Sequence, residues 1–240
     1  MLELKNISLK VQTDDGEKEI LKNINLKIED GFTAITGPNG GGKSTLAKVI
    51  AGIMKPTSGQ IIYNGVDITD MSVTERANIG VSFAFQQPVR FKGLTVMDLV
   101  NIAAGKKLTV AQVCEYLSQV GLCARDYYNR ELNASLSGGE LKRIEIAMIM
   151  ARCTALSIFD EPEAGIDLWS FKSLIKVFEN MHEKMGGSIM IISHQERILE
   201  ITDRIIVLAN GEVTADGKSE DILPTLLNSS RPCPTLTQSM

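Results

Sequence analysis

Apolar and polar residues alternate along the first part of the chain. In residues 2–11 and 20–28, apolar side chains recur mostly at alternate positions, which is typical of strands with one buried face. Residues 13–17, between the two segments, include two aspartates and a glycine, which readily adopt turn dihedral angles. The pattern therefore predicts that the two segments form an antiparallel pair of strands.

Short apolar segments then alternate with segments that have helical periodicity. The predicted helices cover residues 44–52, a stretch ending near 152, and 168–185, and the predicted strands are residues 32–36, 60–63, 155–159, 189–192, 204–208 and 212–214. Asn64-Gly65 and Asn210-Gly211 are strong signals for tight hairpin turns. Strands that alternate with helices indicate an α/β fold with a mostly parallel sheet.

Residues 95–130 differ from this alternation. Residues 95–100 and 110–120 have the spacing of amphipathic helices, and no strand pattern lies between them. We therefore predict a helical insertion in the α/β fold. The segment after residue 227 is rich in Ser, Thr and Pro, a composition for which we expect poor order.

Composition narrows the classes of function. The chain has 240 residues, of which 44% are hydrophobic, and a formal net charge of −4. No apolar run approaches the roughly 18–20 residues of a membrane helix, so we expect a cytoplasmic protein. Nucleic-acid binders usually carry a clear basic patch, and its absence argues against that partner. Four cysteines without a C-x-x-C pair are expected to be buried free thiols: Cys114, Cys123, Cys153 and Cys233.

A glycine-rich segment between a predicted strand and a predicted helix matches the pattern G-x-x-x-x-G-K-[ST]. It reads Gly37-Pro38-Asn39-Gly40-Gly41-Gly42-Lys43-Ser44. Glycines allow backbone N–H groups to approach phosphate oxygens, and the following helix N-terminus favours anions. Lys43 is expected to bridge the β- and γ-phosphates, Ser44 to bind Mg²⁺, and Thr45 to bind phosphate beside it. We therefore predict a site for ATP and Mg²⁺.

Two acids end the predicted strand 155–159. Asp160 is expected to hold Mg²⁺ through its water shell, and Glu161 to polarise the attacking water as a general base. Gln86 follows another apolar segment, where its amide could contact both the metal and the water, although Gln87 is an equally good candidate. His194 follows strand 189–192 and could donate a hydrogen bond to the γ-phosphate.

A second anion site is predicted at the start of a long helix. Ser137, Gly138, Gly139 and Glu140 precede or open this helix, whose first amides and dipole favour a negative group. One triphosphate does not need two cradles, so these residues are expected to serve a nucleotide held by another copy of the chain. The alternative is a simple helix N-cap at Ser137, which explains the serine but not the paired glycines.

Taken in order, these motifs resemble the ATP-binding cassette (ABC) ATPase family over residues 2 to about 220. The resemblance implies a P-loop NTPase fold with an N-terminal antiparallel β subdomain and a helical insertion. It also implies an ATP-dependent head-to-tail homodimer, in which Asp167 reaches the other copy. The corresponding division is residues 1–87 and 137–220 as the RecA-like ATP-binding core, 88–136 as the helical subdomain and 221–240 as a C-terminal tail.

Three stretches are similar to the SufC-like branch, whose members are iron–sulfur cluster assembly ATPases. They are residues 75–88, residues 129–143 and residues 193–199. This resemblance implies that residues 88–130 grip a SufB-like scaffold protein, and that ATP-driven closure remodels the scaffold. The alternative is the ATP-binding subunit of a membrane transporter, for which the partner is a permease. A third interpretation is a regulatory nucleotide-binding module without turnover.

Overall fold

The computed structural model describes residues 1–13, 16–132, 136–184 and 187–229. Its N-terminal part is a four-stranded antiparallel sheet in the order β2-β1-β4-β5. These strands are β1 Leu2–Thr13, β2 Gly16–Ile28, β4 Ser58–Tyr63 and β5 Val66–Asp67. The predicted pairing of the first two strands is confirmed, with Leu2 opposite Ile28. The predicted turn at 13–17 includes residues 14 and 15, which lie outside the described residues.

A six-stranded sheet in the order β10-β9-β3-β8-β7-β6 forms the centre of the molecule. Its strands are β3 Phe32–Thr36, β6 Val81–Ala84, β7 Leu156–Asp160, β8 Ser188–Ile192, β9 Arg204–Ala209 and β10 Glu212–Lys218. All neighbouring pairs are parallel except β9 with β10. The predicted α/β fold with a mostly parallel sheet is therefore confirmed, and the observed β7 lies one residue later than predicted.

Nine helices occur in the described part of the chain. They are α1 Lys43–Ile50, α2 Val73–Asn78, α3 Val96–Ala104, α4 Val110–Gln119, α5 Ala124–Tyr127, α6 Gly138–Arg152, α7 Leu168–Lys184, α8 Glu196–Glu200 and α9 Ser219–Ser229. The predicted helical insertion is present as α3, α4 and α5, and α6 packs against α3 and α4. None of the described helices is long and apolar enough to cross a membrane.

Two hydrophobic clusters cover the two faces of the central sheet. Along β8, for example, Ile189 and Ile191 face the cluster shared with the helical insertion, α6 and α7. Met190 and Ile192 face the cluster shared with α1 and the antiparallel sheet. Each face thus packs a different layer, as expected for a parallel sheet buried on both sides.

Arg76 anchors the C-terminus of α1 from the interior. Its side chain is 1% exposed and donates hydrogen bonds to the carbonyls of Val49 at 2.8 Å and Ile50 at 2.7 Å. Carbonyls at a helix C-terminus lack intrahelical donors. The guanidinium supplies a donor to the Ile50 carbonyl and a second donor to the Val49 carbonyl, which also accepts from the Gly52 N–H at 3.1 Å. Arg76 thus fixes the C-terminus of α1, and the N-terminus of α1 directly follows the glycine-rich segment 37–42.

Two expectations need correction or closer description. The prediction of buried cysteines is wrong for Cys123 and Cys153, which are exposed, while Cys114 is half-buried; Cys233 lies outside the described residues. The boundary proposed between residues 220 and 221 falls inside α9, which was not predicted. Ile222, Leu223 and Leu226 of α9 pack against the core, whereas residues 230–240 lie outside the described part of the chain.

Candidate nucleotide site

The phosphate loop connects β3 to α1 and lies against β9. Gly37, Gly40 and Gly42 have φ angles of 132°, 75° and 100°, which side chains disfavour. A Cβ atom on Gly37 would lie 2.1 Å from the carbonyl oxygen of Leu208, and one on Gly41 would lie 2.7 Å from the same atom. Close approach of two backbones thus requires these two glycines, while the space around Gly40 is open.

The Lys43 ammonium group lies at the centre of the loop. Its Nζ donates to the carbonyl oxygens of Gly37 at 2.8 Å and Pro38 at 2.9 Å. Burial lowers the pKa of Lys43, whereas the charges of Glu161 and Asp160 oppose that effect. The lysine therefore shapes the loop and presents positive charge where the sequence predicts the phosphates.

Ser44 and Asp160 meet at the ends of α1 and β7. The Ser44 hydroxyl donates to Asp160 Oδ1 at 2.8 Å, and Asp160 is 2% exposed. Burial, reinforced by the Glu161 charge, raises the pKa of Asp160. A carboxylate beside a hydroxyl is a suitable donor set for Mg²⁺, and a divalent cation would favour ionised Asp160. The pair thus fits the metal role predicted for it. Thr45 follows, half-buried, in the first turn of α1.

Glu161 is held between Gln86 and His194. The Gln86 Nε2 donates to Glu161 Oε2 at 2.5 Å, and His194 Nε2 lies 3.5 Å from Glu161 Oε1. Of the two glutamines left open by the sequence, Gln86 makes this contact. Burial and the nearby Lys43 charge lower the pKa of His194 despite the opposing effect of Glu161. This shift favours the neutral imidazole, which has one N–H to donate.

Sequence reasoning missed the side chains that support Glu161. Glu161 has a φ of 46°, and Lys142 of α6, which is 4% exposed, donates to its carbonyl oxygen at 2.8 Å. Nearby, Ser193 donates to Glu163 Oε1 at 2.5 Å, and Glu163 Oε2 is buried without a hydrogen-bond partner in the described part of the chain. No local pattern distinguishes Lys142 from its neighbour Arg143, so only the tertiary structure shows which cation is buried.

The tip of α6 carries the second predicted anion site. Ser137 Oγ accepts from the Glu140 N–H at 3.2 Å, and Glu140 Oε2 accepts from the Ser137 N–H at 2.6 Å. This arrangement is a capping box, so the N-cap role for Ser137 holds geometrically. The Tyr127 hydroxyl also donates to Glu140. Ser137 and Gly138 are exposed, and a Cβ atom on Gly138 would meet nothing within 4 Å, so the tip is open at Gly138, whereas Gly139 is half-buried.

The predicted site residues thus form two groups: one at the phosphate loop and the adjoining strand ends, and one at the tip of α6. Among the described residues, the side-chain hydrogen bonds of the α6 tip join Ser137, Glu140 and Tyr127, and Arg143 donates to the Gly139 carbonyl; none of them reaches the phosphate loop. A Cβ atom placed on Gly139 would lie 3.9 Å from Cγ1 of Ile166. The backbone oxygen of exposed Asp167 accepts from the Phe171 N–H at 2.9 Å, so Asp167 lies at the start of α7.

This combination of a P-loop at a parallel sheet, strand-end acids and a helical insertion defines an ATP-binding cassette. The chain belongs to the ABC transporter family, whose family model matches residues 21–164. It is 41% identical over 216 residues to an uncharacterized ABC transporter ATP-binding protein of Methanocaldococcus jannaschii, covering 86% of each chain. It is 34% identical over 237 residues to the probable ATP-dependent transporter ycf16 of Antithamnion sp., covering 92% of each.

Solved structures agree with this assignment. A dimeric ATP-binding cassette in a post-hydrolysis state, bound to ADP and Pi, matches 91% of this chain and 99% of its own. The TM-score is 0.81 and the sequence identity is 26%. The expected fold, an ABC ATPase with an antiparallel β subdomain and a helical insertion, is therefore confirmed.

Proposed function

We propose that this chain is an ATPase subunit that hydrolyses Mg-ATP to ADP and phosphate and thereby moves a partner protein. The observation that carries the proposal is the position of Glu161. Its carboxylate contacts Gln86 and His194 and follows directly after Asp160, which is bonded to Ser44. A carboxylate fixed beside the expected phosphate and metal groups is suited to orient a water molecule.

Each residue of the site has a separate proposed role. The amides of residues 37–42 and the Lys43 ammonium bind the phosphates, while Ser44 and Asp160 hold Mg²⁺. When bound, Mg²⁺ neutralises charge on the phosphate oxygens. Glu161 accepts a proton from the attacking water as the water oxygen bonds to the γ-phosphorus, while the bond from the γ-phosphorus to the β–γ bridging oxygen breaks and ADP leaves. His194 donates a hydrogen bond from its imidazole N–H to an oxygen of the transferring phosphoryl group.

The open tip of α6 supports a head-to-tail homodimer that forms with ATP. In this arrangement Ser137, Gly138, Gly139 and Glu140 of one copy complete the site of the other, and Asp167 lies at the junction. The exposure of Ser137, Gly138 and Asp167 leaves them accessible to a second copy. The related cassette that matches over 91% of this chain is described as dimeric.

For the partner, we propose a SufB-type scaffold in iron–sulfur cluster assembly. The support is the SufC-like sequence of residues 75–88, 129–143 and 193–199. Arg76 in the first stretch anchors α1, and Lys142 in the second bonds to Glu161, so the resemblance includes residues with specific contacts. The second candidate is the ATP-binding subunit of a membrane transporter, favoured by the names of both relatives.

Purification of the tagged chain from its native cells, with membranes separated from soluble extract, tests the choice of partner. We expect the chain to co-purify with a soluble scaffold protein, and the purified scaffold to accelerate phosphate release by the chain. Recovery with an integral membrane protein that accelerates release instead would favour the transporter. If neither partner elicits phosphate release from the wild-type chain, the chain is better explained as a regulatory module without turnover.

A further inference from the structure

A short turn directly after Glu161 carries another acid of the site, Glu163. The Glu161 carbonyl accepts from the Ala164 N–H at 3.0 Å and from Lys142 Nζ at 2.8 Å. The Glu163 carbonyl in turn accepts from the Ile166 N–H at 3.1 Å. Hydrogen bonds therefore hold the backbone on both sides of Glu163, and the turn presents the Glu163 side chain at a defined position.

The Glu163 side chain contacts the loop that follows β8. Its Oε1 accepts from the Ser193 hydroxyl at 2.5 Å, and its Oε2 is buried without a hydrogen-bond partner in the described part of the chain. Burial raises the pKa of Glu163 and the Glu161 charge adds to this effect, while the Ser193 hydroxyl, the backbone N–H of Glu163 and the Lys142 charge oppose it. Because a buried polar group is costly without a partner, the Ser193 hydroxyl compensates part of the cost of burying the carboxyl group.

The Ser193 hydroxyl also closes the short loop that contains His194. Ser193 is completely buried, and its N–H donates to the Ile35 carbonyl at 3.2 Å. Its Oγ, which donates to Glu163, accepts from the Gln195 N–H at 3.0 Å. Local bonds of this kind, from a serine side chain to the backbone two residues later, stabilise turns. The backbone is thus fixed on both sides of His194.

The His194 side chain is itself loosely held by other groups in the described part of the chain. It is 37% exposed, and its Nε2 lies 3.5 Å from Glu161 Oε1, which is longer than an ordinary hydrogen bond. The position of the imidazole therefore depends on the backbone of residues 193–195. If Glu163 no longer accepts from Ser193, the hydroxyl is free to rotate to another acceptor, and the loop loses a bond that orients it.

We propose that Glu163 is a positioning residue for hydrolysis: through the Ser193 hydroxyl it holds the loop that places the His194 imidazole beside Glu161. The inference rests on the proposed function, since it assumes that His194 contributes to hydrolysis. Glu163 is not proposed to touch the nucleotide, because its carboxyl group faces Ser193. The two acids of this segment thus have different roles: Glu161 acts on the water, and Glu163 orients the histidine.

Side-chain NMR tests the position of His194 without any need for turnover. The chain has two histidines, so the imidazole C–H signals are few, and His194→Ala assigns them. Glu163→Met removes the acceptor for Ser193 with little change in side-chain length, and we expect the His194 signal to move by more than its line width. Glu163→Gln keeps an oxygen that can accept from Ser193 and should restore the signal. An unchanged His194 signal in Glu163→Met would overturn the proposal.

His182 on α7 is the internal control for this measurement. It contacts Phe32 and Asp203, so its signal should stay in place in both Glu163 variants. Movement of the His182 signal together with that of His194 would indicate a general change of structure and would contradict a specific role for Glu163.

Ser193→Ala breaks the same hydrogen bond from its other end. It also removes the acceptor for the Gln195 N–H, so we expect the His194 signal to move at least as far as in Glu163→Met. Adding Glu163→Met to Ser193→Ala should move it little further, because both changes remove one shared bond. Ser193→Ala decides the question if Glu163→Met does not fold, and an unchanged His194 signal in it would contradict the proposal.

Steady-state ATP hydrolysis measures the consequence for turnover. We expect kcat of Glu163→Met to fall roughly tenfold with the KM for ATP within about twofold of the wild type, and Glu163→Gln to recover most of the kcat. Asp98→Leu is the matched control, since it removes a carboxylate that accepts from the Thr95 hydroxyl at 2.6 Å in α3, and it should leave kcat unchanged. Equal kcat values for Glu163→Met and the wild type would exclude the positioning role.

The His194→Ala background separates this role from a general structural one. If Glu163 acts through the histidine, Glu163→Met should lower kcat by less than about twofold in that background. A further loss of roughly tenfold would show that Glu163 acts on another group of the site and would overturn the proposal. If even the wild type releases no phosphate, the proposed ATPase function fails, while the NMR comparison still decides whether Glu163 positions His194.

Discussion

The phosphate-loop side and the α6 tip differ in how their polar groups are satisfied. Lys43, Ser44 and Asp160 form hydrogen bonds within the chain, and Lys43 and Asp160 are almost completely buried. Ser137 and Gly138 are exposed, with open space over the first turn of the helix. The phosphate-loop side is thus held in place by bonds within the chain. At the α6 tip, the capping box fixes Ser137 and Glu140, and the space over the first turn stays open.

The contrast has a simple physical origin. A buried ammonium or carboxylate is costly unless it is hydrogen-bonded, so the phosphate-loop side must satisfy its groups internally. The first amides of a helix can instead be satisfied by water until an anion replaces it. Under the proposed function, this difference separates the half-site that selects nucleotide from the half-site that depends on a second copy.

The largest expected effect comes from Glu161→Gln, which leaves both sides intact but removes the proposed base. Glutamine can still accept from Gln86, so we expect ATP to bind normally, turnover to fall roughly 1000-fold, and an ATP-bound dimer to accumulate. Phosphate release and light scattering with ATP measure the two outcomes. Turnover within tenfold of the wild type would remove Glu161 from the proposed role.

Lys43→Ala breaks the phosphate-loop side itself. It removes the predicted phosphate contact and both hydrogen bonds that Lys43 Nζ donates to the loop, so affinity for ATP should fall by roughly 100-fold. Isothermal titration calorimetry measures the change, with Lys176→Ala on the exposed surface of α7 as a control that should bind ATP normally. Unchanged affinity in Lys43→Ala would contradict the assigned phosphate contact.

The raised pKa of Glu145, which lies on α6 like the exposed tip, predicts how the free energy of unfolding depends on pH. Because burial raises this pKa from 4.5 to about 7 in the folded protein, the folded state binds the proton more tightly than the unfolded state does. This contribution is complete at pH values below 4.5 and is lost as the pH rises through about 7. Its upper size is on the order of 3 kcal/mol, reduced by any water that reaches the carboxylate.

Urea unfolding of the wild type and Glu145→Gln at pH 5 and pH 8 measures this contribution. We expect the difference in free energy of unfolding between the two proteins to change by about 2 kcal/mol across that range, with the wild type losing more stability at pH 8. Asp160 and Glu163 also have raised pKa values, but they are present in both proteins and cancel. A difference that is independent of pH would mean that Glu145 is ionised throughout.

The sequence was sufficient for much of the fold because local patterns there agree with tertiary packing. Alternation predicted β1 and β2, and Asn64-Gly65 predicted the hairpin between β4 and β5, where both turn residues have positive φ. Short helices were missed: α2 and α8 have six and five residues, too few for a clear period. In α9, Pro224 lies inside the helix, where proline is normally a signal against one.

The site was only partly predictable, because some of its contacts join residues that are far apart in the sequence. The phosphate loop, Asp160 and Glu161 are contiguous motifs, so their neighbours in sequence are their neighbours in space. The contacts of Lys142 with Glu161, and of Glu145 with Phe85, join residues 19 and 60 positions apart. Such pairs depend on how α6 lies across the sheet, and the 3.6-residue period of a helix does not specify that orientation.

The smallest expected effect, Ser137→Ala, tests the α6 tip directly. Loss of the N-cap should lower the free energy of unfolding by about 1 kcal/mol. If the serine also binds nucleotide held by a second copy, ATP-dependent dimerisation of the Glu161→Gln background should weaken roughly tenfold. Ser72→Ala removes an equivalent serine from the capping box of α2, so it should cost similar stability but leave dimerisation unchanged. Equal dimerisation in the two variants would reduce Ser137 to a cap and leave the α6 tip without its proposed ligand.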